Sequence, residues 1–115
     1  TYPEYHTSLD NLSLVSPSGL QKSFNLHKEC IKLLEVNRMY RSTIVGEPQL
    51  GKRGLYPTLS IKESNKHVRT MMNLISFSDG VHSLLETAGL INEPFWELVP
   101  LAEKLIEQGL LQRQS

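Results

Sequence analysis

A single cysteine, Cys30, is all that 115 residues offer for sulfur chemistry. An intramolecular disulfide framework and a cysteine-type zinc knuckle are therefore excluded, and Cys30 is expected to be a small buried hydrophobe on a helix. No stretch approaches the ~18 apolar residues of a membrane helix. The N-terminus lacks the basic-then-apolar layout of a signal peptide, so a soluble, cytoplasmic chain with no membrane partner is expected. Net charge is missing as well: twelve Lys and Arg balance twelve Asp and Glu, which points neither to nucleic acid nor to disorder. No His-Glu-x-x-His occurs, and His27, His67 and His82 fall in separate helical contexts without ligand spacing, which rules out a self-contained zinc-hydrolase motif. The length bounds the chain at one compact unit or parts of two.

The zero charge conceals a pattern. Residues 1–37 carry three Lys against four acids, residues 38–69 seven Lys and Arg against two Glu, and residues 70–115 two cations against six acids. A basic middle thus precedes an acidic end. Within the middle, GEPQLGKR (residues 46–53) matches the front of the phosphate-cradling pattern G-x-x-x-x-G-K-[ST]. The match fails on chemistry: Arg53 replaces the metal-holding hydroxyl, Pro48 removes an N–H, and the following GLYPT cannot open the helix whose N-terminus meets the phosphates. Gly46, Gly51 and Gly54 read instead as turn formers.

Ser16-Pro17 is an N-cap followed by a first-turn proline, and Leu20, Phe24, Leu26, Cys30, Ile31 and Leu34 mark an apolar stripe. A helix over about 17–37 follows. MYRSTIV (39–45) predicts a short strand, and 46–64 a loop with an extended piece near 55–61. Three helical segments come next: 67–78, with Val68, Met71, Met72 and Ile75 inward; 81–89, with Leu84, Leu85 and Ala88 inward and Gly89 as its C-cap; and one opened by Asn92-Glu93-Pro94 and closed by Gly109. Pro100 is expected to kink or divide the last. A helix followed by two more across a short turn is the tri-helical core of helix-turn-helix proteins.

Whether that core reads DNA turns on its last helix. Residues 93–108 carry Glu93, Glu97, Glu103 and Glu107 against Lys104 alone, and four carboxylates facing a polyanion oppose the phosphate contacts on which DNA affinity depends. A solvated acidic face on a docking module is the favoured reading. Phe95, Trp96 and Glu97 are the candidate interaction surface, although a core role for at least one of the two rings is expected.

The longer strings YPEYHTSLDNL, GEPQLGKRGLYPTL, SFSDGVHSLLETAGL and PFWELVPLAEKLIEQGLL resemble the C-terminal part of bacterial aminopeptidase-like proteins associated with polysaccharide biosynthesis, which join a zinc-peptidase-like domain to a C-terminal winged helix-turn-helix. The resemblance covers essentially the whole chain. It implies a mainly α fold with minor β: residues 1–62 as the closing segment of an α/β peptidase-like domain, contributing the long helix and the basic loop 46–54, and residues 65–115 as a winged helix-turn-helix. Leu110–Gln112 supply one wing strand and little chain remains for a return, so the wing is expected to be stunted or to pair elsewhere, with 55–61 as a candidate. The resemblance further implies that His6, in its Tyr-His-Thr context, is a metal ligand with Asp10 behind it, and that the remaining zinc ligands lie outside this chain. No catalysis and no tightly held zinc are then expected of these residues alone. Lys52, Arg53 and Tyr56 become candidates for a substrate cleft, where a cation receives a carboxylate. The expected partner is the parent domain or a second copy. The rival reading is a nucleic-acid-binding winged-helix regulator that contacts phosphates through the basic stretch 38–69.

Overall fold

The computed structural model describes residues 1–55 and 61–115, the side chains of Ile61 and Lys62 excepted. Tyr56 and nearly all of the extended piece expected over 55–61 lie outside the described residues. The chain forms two compact units, Thr1–Val36 and Asn37–Ser115.

The first unit is a run of turns followed by a helix. Short-range bonds such as Thr7 N–H to the Glu4 carbonyl and Asp10 N–H to the Thr7 carbonyl shape the turns. Helix α1 (Pro17–Val36) starts where expected, with Ser16 Oγ accepting the Gly19 N–H at 3.0 Å. None of its residues is buried. Phe24 is 63% exposed and Leu34 70%, and Cys30 is exposed rather than buried. Periodicity identifies the apolar face of a helix; it does not supply what covers that face.

The second unit holds the core. Strand β1 (Met39–Ser42) leads to a tight 3-10 turn (Leu50–Arg53), then come α2 (Ile61–Phe77), β2 (Asp79–Ser83), α3 (Leu84–Ile91), α4 (Phe95–Glu107) and β3 (Leu111–Gln114). The sheet order is β2-β1-β3, antiparallel throughout, with Met39 opposite both Ser83 and Gln114. β3 therefore pairs with β1, which fills the place a returning wing strand would need. Met71, Leu74, Leu84, Leu98, Leu105 and Leu110 are fully enclosed between helices and sheet, and Tyr40 seals the inner face of β1 at 3% exposure. Burial raises the pKa of the Tyr40 hydroxyl, while the nearby Arg113 guanidinium opposes the rise.

Local chemistry sets the element boundaries, and several depart from the sequence reading. β2 occupies residues read as a turn and a helix start, because the Asp79 carboxylate accepts the N–H groups of Val81 and His82 at 2.8 and 2.9 Å and the strand pairs with β1. Helix α3 begins only at Leu84, where Ser83 and Glu86 form a reciprocal capping box. It runs past Gly89 to Asn92, whose left-handed backbone (φ 54°) ends it with Asn92 N–H on the Gly89 carbonyl and Glu93 N–H on the Ala88 carbonyl. Leu85, expected inward, is 41% exposed. Gly109 does close α4, at φ 69°, with Gly109 and Leu110 N–H on the carbonyls of Ile106 and Leu105. Pro100 sits inside an undivided α4.

The Asp79 turn makes β2 acid-sensitive. Backbone N–H donors from His82 and Val81, then the His82 ring at 2.7 Å, hold the Asp79 carboxyl down to about 2 from 3.8. A carboxyl whose pKa is lower folded than unfolded adds stability above its unfolded value, and that stability disappears as pH falls through the folded value. Asp79→Asn keeps an acceptor but removes the charge. Its thermal midpoint should lie below the parent's at neutral pH, and the gap should close as pH falls from 3.8 towards about 2; a gap independent of pH would contradict the assignment.

Candidate functional site

Helix α4 is the second helix of the helix-turn-helix. Pro94, in extended conformation (φ −61°, ψ 132°), precedes it without a side-chain cap, and Glu97 in the first turn and Lys104 in the last complement the helix dipole. Phe95, Leu98, Leu101, Ala102 and Leu105 point into the core. The outward face is left to Trp96, Glu97, Pro100, Glu103, Lys104 and Glu107, all exposed. Glu103 is tied to Arg113 of β3 at 2.9 Å.

Between α4 and the first half of α2 runs a groove of about 710 Å³. Trp96, Pro100 and Leu101 give it an apolar floor, with Trp96 46% exposed and its ring edge-on to the buried Phe95 at 5.1 Å between centroids. Glu97 and Lys104 flank the floor on the α4 side, and Glu63, Lys66, His67 and Thr70 face it from α2. At the end near the turn, Glu93 accepts from the Thr70 hydroxyl at 3.2 Å and lies 3.7 Å from Lys66 Nζ. That cross-link fixes α2 to the start of α4. Trp96 and Glu97 were legible as surface candidates in the sequence; Lys66, Thr70 and Glu93 were not, because only the packing of two helices brings them together.

The remaining candidates fall elsewhere. His6 is exposed, with a positive φ of 59° and its ring 3.9 Å from that of Tyr5. The Asp10 carboxylate accepts a 2.6 Å bond from the Tyr2 hydroxyl, which also raises the Tyr2 pKa. Among the described residues no three His, Cys, Asp or Glu side chains are grouped to hold a metal, so the residues present do not by themselves fit a zinc ion. Arg53 donates at 2.7 Å to the Gln108 carbonyl, where a guanidinium satisfies the free end of α4. The adjacent Thr43 hydroxyl bonds the Gly109 carbonyl at 2.6 Å. Lys52 lines a separate 340 Å³ depression with Val45 and Pro48. The basic residues of 38–69 are spread over the residue before β1, β1 itself, this loop and α2, and Arg38, Arg53 and Lys66 have protein partners. Among the described residues no helix is long and apolar enough to cross a membrane.

Residues 38–113 match the family model of a winged helix-turn-helix, and residues 1–37 that of a domain of unknown function. A Clostridium acetobutylicum protein, provisionally named a polysaccharide biosynthesis protein with an aminopeptidase-like domain, is 35% identical over 109 residues, which are 93% of this chain and 25% of that protein. A crystal structure from Clostridium acetobutylicum, provisionally named a peptidase, aligns at TM-score 0.76 and 34% identity over 97% of this chain and 24% of that one. The chain thus spans about a quarter of the length of the relatives it matches.

Proposed function

Because this chain belongs to the winged helix-turn-helix family over residues 38–113 and aligns with a quarter of longer aminopeptidase-like and peptidase relatives, we propose that it is the non-catalytic C-terminal region of a zinc-dependent aminopeptidase-like protein, with a helix-turn-helix that binds protein or peptide rather than DNA. In this reading α1 packs against the larger domain through its exposed apolar face, and His6 offers one imidazole to a metal site completed by residues beyond this chain. Lys52 remains the cation offered to a substrate cleft, since Arg53 is engaged at the end of α4. An exposed free thiol at Cys30 suits a reducing, cytoplasmic setting.

The observation that carries the reading is the outward face of α4. A helix that reads the major groove presents Arg, Lys, Asn or Gln to base edges and keeps cations near phosphates; this one presents an indole, a proline and three glutamates around Lys104. Titration with a mixed-sequence duplex at about 50 mM salt, where phosphate contacts are strongest, should give no binding tighter than about 10 µM. Tight, salt-sensitive binding that is lost on charge reversal at Lys52, Arg53, Lys66 and Arg69 would replace this reading with a regulator that uses the basic stretch.

A further inference from the structure

We propose that the α2–α4 groove is a binding site for short unblocked peptides, lying along α4 with the ammonium end at Glu97 and the carboxylate end at Lys104. The inference rests on the reading of α4 as a binding face that does not engage DNA.

Three features of the groove specify the ligand. Its 710 Å³ falls within the roughly 300–1,000 Å³ usual for small-ligand sites, which combine apolar walls with a few placed polar groups. Its floor of Trp96, Pro100 and Leu101 is uncharged and accepts side chains without selecting among them by charge. Along its α4 side stand two charges of opposite sign. Glu97 and Lys104 are separated by seven residues of one continuous helix, which is about 10 Å at 1.5 Å per residue. An extended chain advances at most about 3.5 Å per residue, so a tripeptide places its free termini over about the same span.

The helix dipole accounts for the signs of Glu97 and Lys104. It does not account for the apolar surface of Trp96, Pro100 and Leu101 that lines the same groove beside them. Of the other charged groups that line the groove, Lys66 and Glu93 lie 3.7 Å apart and Glu63 is engaged in an interaction of its own. Glu97 and Lys104 have no ion pair among the described residues, so they remain to set the polarity of an incoming peptide. A ligand with one charge lacks a partner at the opposite end, and a polyanion meets Glu97 and Glu93.

Trp96 is the sole tryptophan of the chain, so its intrinsic emission reports on this groove directly. Titrating the protein with trialanine and with Ala-Leu-Ala, both termini free, should change Trp96 emission saturably below about 5 mM. Each charged end engages an exposed partner and contributes the modest amount typical of such pairs, so N-acetylation or C-amidation should weaken binding about threefold to fivefold. Glu97→Gln should abolish the distinction between free and acetylated peptide but keep that between acid and amide. Lys104→Gln should do the reverse. Both positions are exposed, and the blocked peptides test the idea on the unaltered protein. Absence of a saturable change, or equal binding of free and doubly blocked peptide, overturns the inference. The same measurement with duplex DNA separates the two levels: a response to duplex alone overturns the reading of α4 as well, whereas no response to either removes only the peptide site.

Discussion

Leu98→Ala should cost the second unit about 3–4 kcal/mol and lower its melting midpoint by about 15–25 °C. Leu98 is fully buried on the inner face of α4, and truncating an enclosed leucine removes its transfer free energy and leaves a cavity, for about 2–5 kcal/mol in total. A unit of about 80 residues has only some 4–12 kcal/mol to lose, and for its size each kilocalorie shifts the midpoint by about 4–8 °C. Val99, next in the chain, is only half-buried, and Val99→Ala should cost about 1 kcal/mol. Circular dichroism melts of the two variants check both values. Equal effects would mean that α4 does not present Leu98 to the core.

The second large effect depends on context. Leu20, Phe24 and Ile31 are all exposed on one side of α1, so replacing the three together by serine should change the melting of this chain very little. In a protein that also carries the larger peptidase-like domain, we expect the same triple change to remove about 4–8 kcal/mol, because each side chain contributes about 1.5–3 kcal/mol when it is fully covered. Thermal or urea unfolding of both forms makes the comparison. A small effect in each would show that α1 is not an internal surface of the longer protein.

Local signals carried much of the fold. Ser16-Pro17 marks the start of α1, Gly109 the end of α4, and the β-branched and aromatic run after Asn37 marks β1, because caps and short strands are decided by neighbouring residues. β2 escaped because Asp79-Gly80 has the chemistry of a turn, and its strand character comes from pairing with a segment some forty residues earlier. Gly89 looked like a cap, yet Asn92 holds the left-handed position, which asparagine tolerates almost as well. Arg53 was legible as a cation but not as a lock on the Gln108 carbonyl, 55 positions away in sequence. The candidate site was half visible for the same reason. Trp96 and Glu97 stand on one helix and can be placed by its period, whereas Thr70 and Lys66 enter only through the packing of α2.

The middle place of β1 bears on how the second unit is made. Met39 pairs with Ser83 on one side and with Gln114 on the other, so within this unit the strand made first waits for the one made last. During synthesis the three helices can collapse on one another through nearby contacts, but the sheet stays open until Leu111–Gln114 has left the exit tunnel. Such long-range closure slows folding. A nascent chain stalled at residue 110 would display β1 with an unpaired edge, the kind of surface that chaperones and neighbouring chains recognise.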